Sequence, residues 1–156
     1  MGTPYFDAHS LWQLGDKPLF TTIHRNLKVD TCIVGAGIAG LSVAYQLLKA
    51  GQTVVVLERD RLGLGESGLS AGHLSYALDE RFSWLIRRHG RRGAELAAQS
   101  HRQAIDTIEE IQRAEGIECE FKRVTGYLFL GLGDTLTTLE KELSAGQECG
   151  IKDLAL

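Results

Sequence analysis

The amino-acid sequence predicts an α/β fold, and three consecutive features carry that prediction. Residues 29–34 form an apolar run rich in β-branched side chains, which is typical of a buried strand. Gly35, Gly37 and Gly40 follow with G-x-G-x-x-G spacing, and an amphipathic run then leads into a second apolar segment at 53–58. This order of strand, glycine turn, helix and strand is that of a Rossmann-like, dinucleotide-binding βαβ unit.

The glycine turn predicts a site for a pyrophosphate. Gly35 allows a tight turn, Gly37 lets the backbone approach the phosphates, and Gly40 lets helix and strand pack without an intervening Cβ. The helix then begins near Ile38 and Ala39, where free N–H groups and the positive end of the helix dipole favour an anion. The predicted site comprises Gly35, Ala36, Gly37, Ile38, Ala39 and Gly40.

An acidic residue closes the second strand. Glu58 lies about 20 residues beyond the glycines, where a carboxylate accepts hydrogen bonds from adenosine ribose hydroxyls. A 2′-phosphate would be repelled there, although Arg59 leaves an NADP alternative open because a guanidinium can pair with a phosphate.

A second glycine-rich segment follows at 61–73, with glycines at 63, 65, 68 and 72 and hydroxyls at Ser67 and Ser70. Nicotinamide-binding units usually have short loops here, whereas a flavin dinucleotide would need a longer binding segment. Successive backbone N–H groups in such a loop can form an anion-binding nest. The alternative is a flexible surface loop.

The remaining pattern predicts helices over 79–89 and 93–115, a strand pair or bent strand over 120–132, and a last helix over 134–148. Gly116 is predicted to end the second of these helices. The apolar side of that helix is predicted to carry Leu96, Ala97, Ser100, Ala104, Ile105, Ile108 and Ile111. That of the last helix is predicted to carry Leu136, Leu139 and Leu143.

Composition excludes several classes of function. The 156 residues carry a formal net charge of −3, which gives no electrostatic basis for binding nucleic acid. No apolar run is long enough to span a membrane, and the start lacks a basic segment followed by an apolar one, so we expect a cytoplasmic protein. The cysteines form no C-x-x-C or C-x-H pair, and no metal site is predicted in this chain.

Three stretches resemble a known family: Val34–Ala44, Val54–Arg59 and Gly65–His73. The chain is similar there to the D-amino-acid-oxidase-like (DAO) family of FAD-dependent oxidoreductases. Within that family it most resembles members with a C-terminal Rieske iron–sulfur domain. The later stretch 104–121 fits the same group.

The resemblance implies FAD as the cofactor. Glu58 and Arg59 would hold its adenosine end. The pyrophosphate and ribityl chain would follow Gly65, Ser67, Gly68, Ser70, Ala71, Gly72 and His73. Some relatives attach flavin covalently through a histidine of this loop, but His73 is displaced by one position, so we expect non-covalent FAD. His73 can also be read as a polar loop residue making one hydrogen bond.

The resemblance also implies a domain plan and a function. By the resemblance, residues 29–118 would be the FAD-binding part and 119–156 the start of an antiparallel substrate domain, while the apolar side chains within residues 1–28 suggest a leader packed on the surface. Since a doubly wound sheet needs more strands, we interpret the chain as the N-terminal part of a longer enzyme, incomplete without its C-terminal half. That enzyme would oxidise a small-molecule amine or amino acid by hydride transfer to flavin. The sequence identifies no catalytic residue, and the alternatives are an NAD-binding dehydrogenase module or a non-catalytic fragment.

Overall fold

The computed structural model describes Ser10, Trp12 and residues 18–156. The chain divides into two compact units, Met1–His73 and Leu74–Leu156. Most of the predicted leader, including Tyr5, Phe6, Leu11 and Leu14, lies outside the described residues. The predicted boundary between residues 118 and 119 remains a prediction.

The first unit contains the predicted βαβ arrangement. Strand β1 spans Thr31–Val34, helix α1 spans Ile38–Lys49 and strand β2 spans Val54–Leu57. The strands are parallel neighbours, with Thr31 opposite Val54 and Val34 opposite Leu57. The parallel pairing puts the carboxyl ends of both strands beside the glycine turn, which confirms the predicted topology.

Hydrogen bonds between Asp30 and Thr53 join the two chain segments at the other end of this strand pair. The Asp30 carboxylate accepts hydrogen bonds from the backbone N–H of Thr53 at 2.8 Å and from its hydroxyl at 2.6 Å. Mainly through the hydroxyl, these bonds lower the pKa of Asp30. These hydrogen bonds hold Asp30 beside Thr53, which agrees with the strand register that begins at Thr31 and Val54.

Helix α1 covers one face of the two-stranded sheet. Thr31 and Ile33 are half-buried on that side, whereas Cys32 and Val34 on the other face are exposed, Val34 by 85%. In the part of the chain that the structure describes, these are the two strands present. A parallel sheet is normally covered on both faces, so the small sheet is compatible with an incomplete domain.

The second unit is helical. Helix α2 spans Phe82–Ala114 and is broken at Gly90, which adopts φ +71° and ψ 163°. Helix α3 spans Leu136–Glu148 and begins with a capping box between Thr135 and Thr138. These helices and the break agree with the predicted pattern. None of the described helices has both the length and the apolar character needed to cross a membrane.

Small side chains form much of the core of the second unit, and this corrects the predicted apolar faces. On α2, Leu96, Ser100 and Ala104 are exposed, as is Leu136 on α3. The buried set is Phe82, Leu85, Ala94, Ala98, Ala145, Cys149 and Ile151. Close approach of α3 explains the difference, because small residues at the contact let elements pack tightly. A Cβ on Gly146 would lie 2.4 Å from Leu154 Cδ1.

The predicted strand over 120–132 is wrong for this structure. No described residue in that range belongs to a strand, and Val124, Tyr127 and Phe129 are exposed. A strand needs a neighbour for its backbone N–H and C=O groups, and the described residues provide none here. The segment is tied to α2 by Arg123, which donates hydrogen bonds to Asp106 at 2.6 Å and to Glu109 at 2.8 Å.

Candidate functional site

The glycine turn joins the end of β1 to α1. Gly35 adopts φ +101°, and its N–H donates to Leu57 O at 2.7 Å. A Cβ on Gly40 would lie 2.0 Å from Gly35 O and 3.4 Å from Ile33 Cγ2. Gly35 therefore makes the turn possible and Gly40 makes the helix contact possible, which are the structural roles that the spacing predicts.

The amino end of α1 retains donors for a ligand. Gly37 is the N-cap residue and offers no side chain, and the first turn contains no acidic residue. The first helical bond runs from Leu41 N to Gly37 O at 3.0 Å, so the N–H groups of Ala39 and Gly40 precede it. Ile38 and Ala39 are exposed. This end of the helix fits a phosphate group by geometry and by dipole.

Glu58 lies against the same turn. Its Oε2 accepts the N–H of Ala36 at 2.7 Å and its Oε1 accepts the N–H of Asp60 at 3.0 Å. The hydrogen bond from Ala36, followed by that from Asp60, lowers the pKa of Glu58. The carboxylate is exposed, and each of its oxygens has a further lone pair that could accept a ribose hydroxyl.

Arg59 has a different environment. Its side chain is 94% exposed and its Nε lies 3.7 Å from Asp60 Oδ2. The contact with the glycine turn thus belongs to Glu58, while Arg59 pairs with its neighbour in the chain. Such an exposed pair contributes little energy and leaves the guanidinium able to move.

The second glycine-rich loop folds back onto the turn. Gly63 N donates to Ala36 O at 3.0 Å, and the hydroxyl of Ser67 accepts the N–H of Ile38 at 2.9 Å. Ser67 lies in a short 3-10 helix, Glu66–Leu69, which Gly65 precedes and in which Gly68 is buried. The structure therefore brings the first part of the predicted loop, through Ser67, to the predicted phosphate site.

The last part of the loop contacts another residue. Trp12 Nε1 donates to Ser70 O at 2.5 Å. A Cβ on Gly72, which has φ +70°, would lie 2.7 Å from Trp12 Cζ2. Ala71 and His73 are exposed. Sequence reasoning missed this role of Trp12, and the only signal for it was an aromatic side chain in the predicted leader.

The described residues contain no cluster of three or more histidine, cysteine or acidic side chains able to hold a metal ion. The chemistry offered by the site is that of backbone N–H donors, one carboxylate and one hydroxyl around a glycine turn. These groups are of the kinds that dinucleotide-binding turns use for phosphate and ribose.

A comparison with protein families decides between the nucleotide-binding possibilities. Residues 30–155 match the DAO family model, described as FAD dependent oxidoreductase. The chain belongs to this family. As a member of the FAD-dependent oxidoreductases it has FAD as its family cofactor, and the predicted resemblance is confirmed.

Curated relatives of this FAD-dependent oxidoreductase chain agree. It is 32% identical over 138 residues to γ-glutamylputrescine oxidoreductase of Escherichia coli, covering 88% of this chain and 32% of the relative. It is 34% identical over 142 residues to the probable oxidoreductase OrdL of Haemophilus influenzae, covering 88% and 31%. A third relative is the putative Rieske 2Fe-2S iron–sulfur protein YhfW of Bacillus subtilis, 28% identical over 137 residues and covering 88% and 27%.

The chain thus spans about a third of the length of these relatives. No solved structure matches it.

Proposed function

We propose that this chain is the N-terminal, FAD-holding part of an oxidoreductase that oxidises an amine or amino acid. The observation that carries the proposal is the contact of Glu58 with Ala36, at 2.7 Å, beside the open amino end of α1. One carboxylate at the end of β2 and one set of N–H donors after β1 match the adenosine and the pyrophosphate of a dinucleotide.

The proposed binding mode follows from these positions. The turn from Gly35 to Gly40 would receive the pyrophosphate, with Ala39 and Gly40 donating N–H groups. Glu58 would accept the ribose hydroxyls, and Arg59 would lie at the adenosine end. The loop from Gly65 to His73 would continue along the cofactor towards the flavin ring, without a covalent bond. FAD, when bound, supplies the hydride acceptor, while the chain binds and orients it.

The substrate class rests on the relatives. The name of the Escherichia coli relative includes γ-glutamylputrescine, which contains an amine. We propose the same broad class for the complete enzyme, with residues 119–156 as the start of its substrate domain. The exposed apolar side chains of Val124, Tyr127 and Phe129 would then be covered by parts of the complete enzyme outside this sequence.

A visible absorbance spectrum of the purified chain tests the proposal. We expect a flavin spectrum that passes into the filtrate after denaturation, because the proposed attachment is non-covalent. A colourless protein that also fails to bind added FAD contradicts the proposal for this chain, and tight binding of NAD instead identifies a dehydrogenase module.

The substitution Glu58→Gln tests whether this carboxylate contributes to FAD binding. Glu58→Gln removes the charge-assisted hydrogen bonds, so we expect FAD affinity to fall about tenfold. Glu110→Gln is the matched control, because it makes the same chemical change at an exposed position on α2. Equal affinity in the two variants contradicts the role of Glu58.

A further inference from the structure

Helix α1 is capped by a residue from another segment. The side chain of an N-cap residue, which lies just before the helix, normally accepts the N–H of the second or third helical residue. Here Gly37 holds that position and has no side chain. The hydroxyl of Ser67, 29 residues from Ile38 in the sequence, accepts the N–H of this first helical residue at 2.9 Å, so a free donor of the helix start is satisfied from another segment.

Gly37 lies next to this hydrogen bond, and its lack of a side chain leaves room for Ser67. Its φ of −82° is open to any residue, so the backbone conformation does not require glycine. A Cβ at this position would, however, lie 3.0 Å from Ser67 Oγ. A side chain at position 37 would require the serine hydroxyl to move by a few tenths of an ångström, so glycine leaves room for the hydrogen bond.

The loop presents Ser67 in a defined place. Gly63 N binds Ala36 O at 3.0 Å, four residues before Ser67, and Gly68 N closes a turn on Gly65 O at 2.9 Å. Gly68 itself is buried. Ser67 thus lies between two backbone bonds, one of which is to the glycine turn. This arrangement is unlike a free surface loop, in which a hydroxyl would sample many positions.

We propose that Ser67 is a positioning residue for the phosphate end of the cofactor. By capping α1 from the second loop, it joins the two glycine-rich segments before the cofactor binds. Its oxygen is used by Ile38, while its hydroxyl proton remains able to donate to a phosphate oxygen. The role rests on the proposed binding of FAD and adds to it that the two segments form one preorganised site.

The test compares Ser67→Ala, Ser67→Thr and Ser42→Ala in the full chain. Two quantities are measured: the FAD affinity, and the hydrogen-exchange rate of the Ile38 amide without cofactor. The alanine variant is expected to bind FAD about fivefold more weakly and to exchange Ile38 about fivefold faster, as for the loss of one hydrogen bond. Threonine, which keeps the hydroxyl, is expected to restore both. Ser42 is an exposed serine of the same helix, and its change should affect neither.

The outcomes separate this role from FAD binding itself. Unchanged or tighter FAD binding by Ser67→Ala overturns the positioning role but leaves FAD binding intact. Unchanged exchange of Ile38 in that variant also overturns the positioning role alone. If the unmodified chain takes up no FAD, the proposed function fails and the positioning role fails with it.

Discussion

The carboxylate of Glu58 binds the backbone N–H of Ala36 at 2.7 Å, so the end of β2 closes the turn that follows β1. The strand register explains the contact, since Val34 and Leu57 are directly opposite and the chain continues one and two residues beyond them. A ribose-binding carboxylate would therefore also hold the phosphate-binding turn in shape before any ligand is present.

The first prediction is a pH dependence of this contact. The pKa of Glu58 is lowered below its ordinary value of 4.5, chiefly by the Ala36 hydrogen bond. The stabilisation is thus complete above pH 4.5 and is lost as the pH falls through the lower folded-state pKa. The amide chemical shift of Ala36 should titrate with a midpoint below 4.5, and Glu58→Gln should abolish the titration. A midpoint at or above that value would contradict the contact.

The second prediction concerns Gly40. A Cβ there would lie 2.0 Å from Gly35 O, which is backbone and cannot rotate away. Gly40→Ala should therefore reduce the free energy of unfolding by about 3 kcal/mol, measured by urea titration. Gly126→Ala is the control, because its Cβ would meet open space, and it should change stability by no more than about 0.5 kcal/mol. Equal stabilities of the two variants would refute the packing role.

The third prediction is that Gly37 and Ser67 are coupled. Gly37→Ala should displace the serine hydroxyl and increase the exchange rate of the Ile38 amide, as Ser67→Ala does. Once one change has removed the hydrogen bond, the other has nothing left to remove. The double variant should therefore exchange Ile38 no faster than the faster single variant, and additive effects would show that the two residues act independently.

The fourth prediction concerns Glu142 in the second unit. This buried carboxylate accepts the N–H groups of Phe82 and Ser83 at the start of α2, the second at 3.1 Å. Glu142→Gln replaces one acceptor by an NH₂ donor, which leaves a helix N–H unsatisfied. We expect a loss of about 1 to 3 kcal/mol in the free energy of unfolding, measured by urea titration. Glu140→Gln, on the exposed side of α3, should have almost no effect.

Local patterns predicted the βαβ unit well. Strand, turn and helix there depend on residues close in sequence, and Gly35 and Gly40 have conformational needs that can be recognised without knowing the fold. The contact of Ser67 with Ile38 could not be predicted in this way, because it depends on how a loop folds back over 29 residues. The sequence indicated a hydroxyl near the cofactor, but not the amide that it binds.

Two predictions were wrong because they depend on tertiary contacts: the buried face of α2 and the strand over residues 120–132. On α2, Ala94 and Ala98 are buried while Leu96 is exposed, because closeness to α3 matters more there than side-chain hydrophobicity. Residues 120–132 have strong strand propensity, yet a strand is a property of a pair and the described chain offers no partner.

The break at Gly90 has a consequence for changes in chain length. Its φ of +71° interrupts the helical path, so the residues before and after it need not share one helical phase. An insertion of one residue in the helical stretch between Gly90 and Ala98 would rotate the side chains that follow it by about 100° and turn Ala98 away from the core. An insertion beside Gly90 lies in the non-helical break, so the helical stretch on each side can keep its side chains in their present orientation. Natural variation in the length of α2 is therefore expected to concentrate at this glycine.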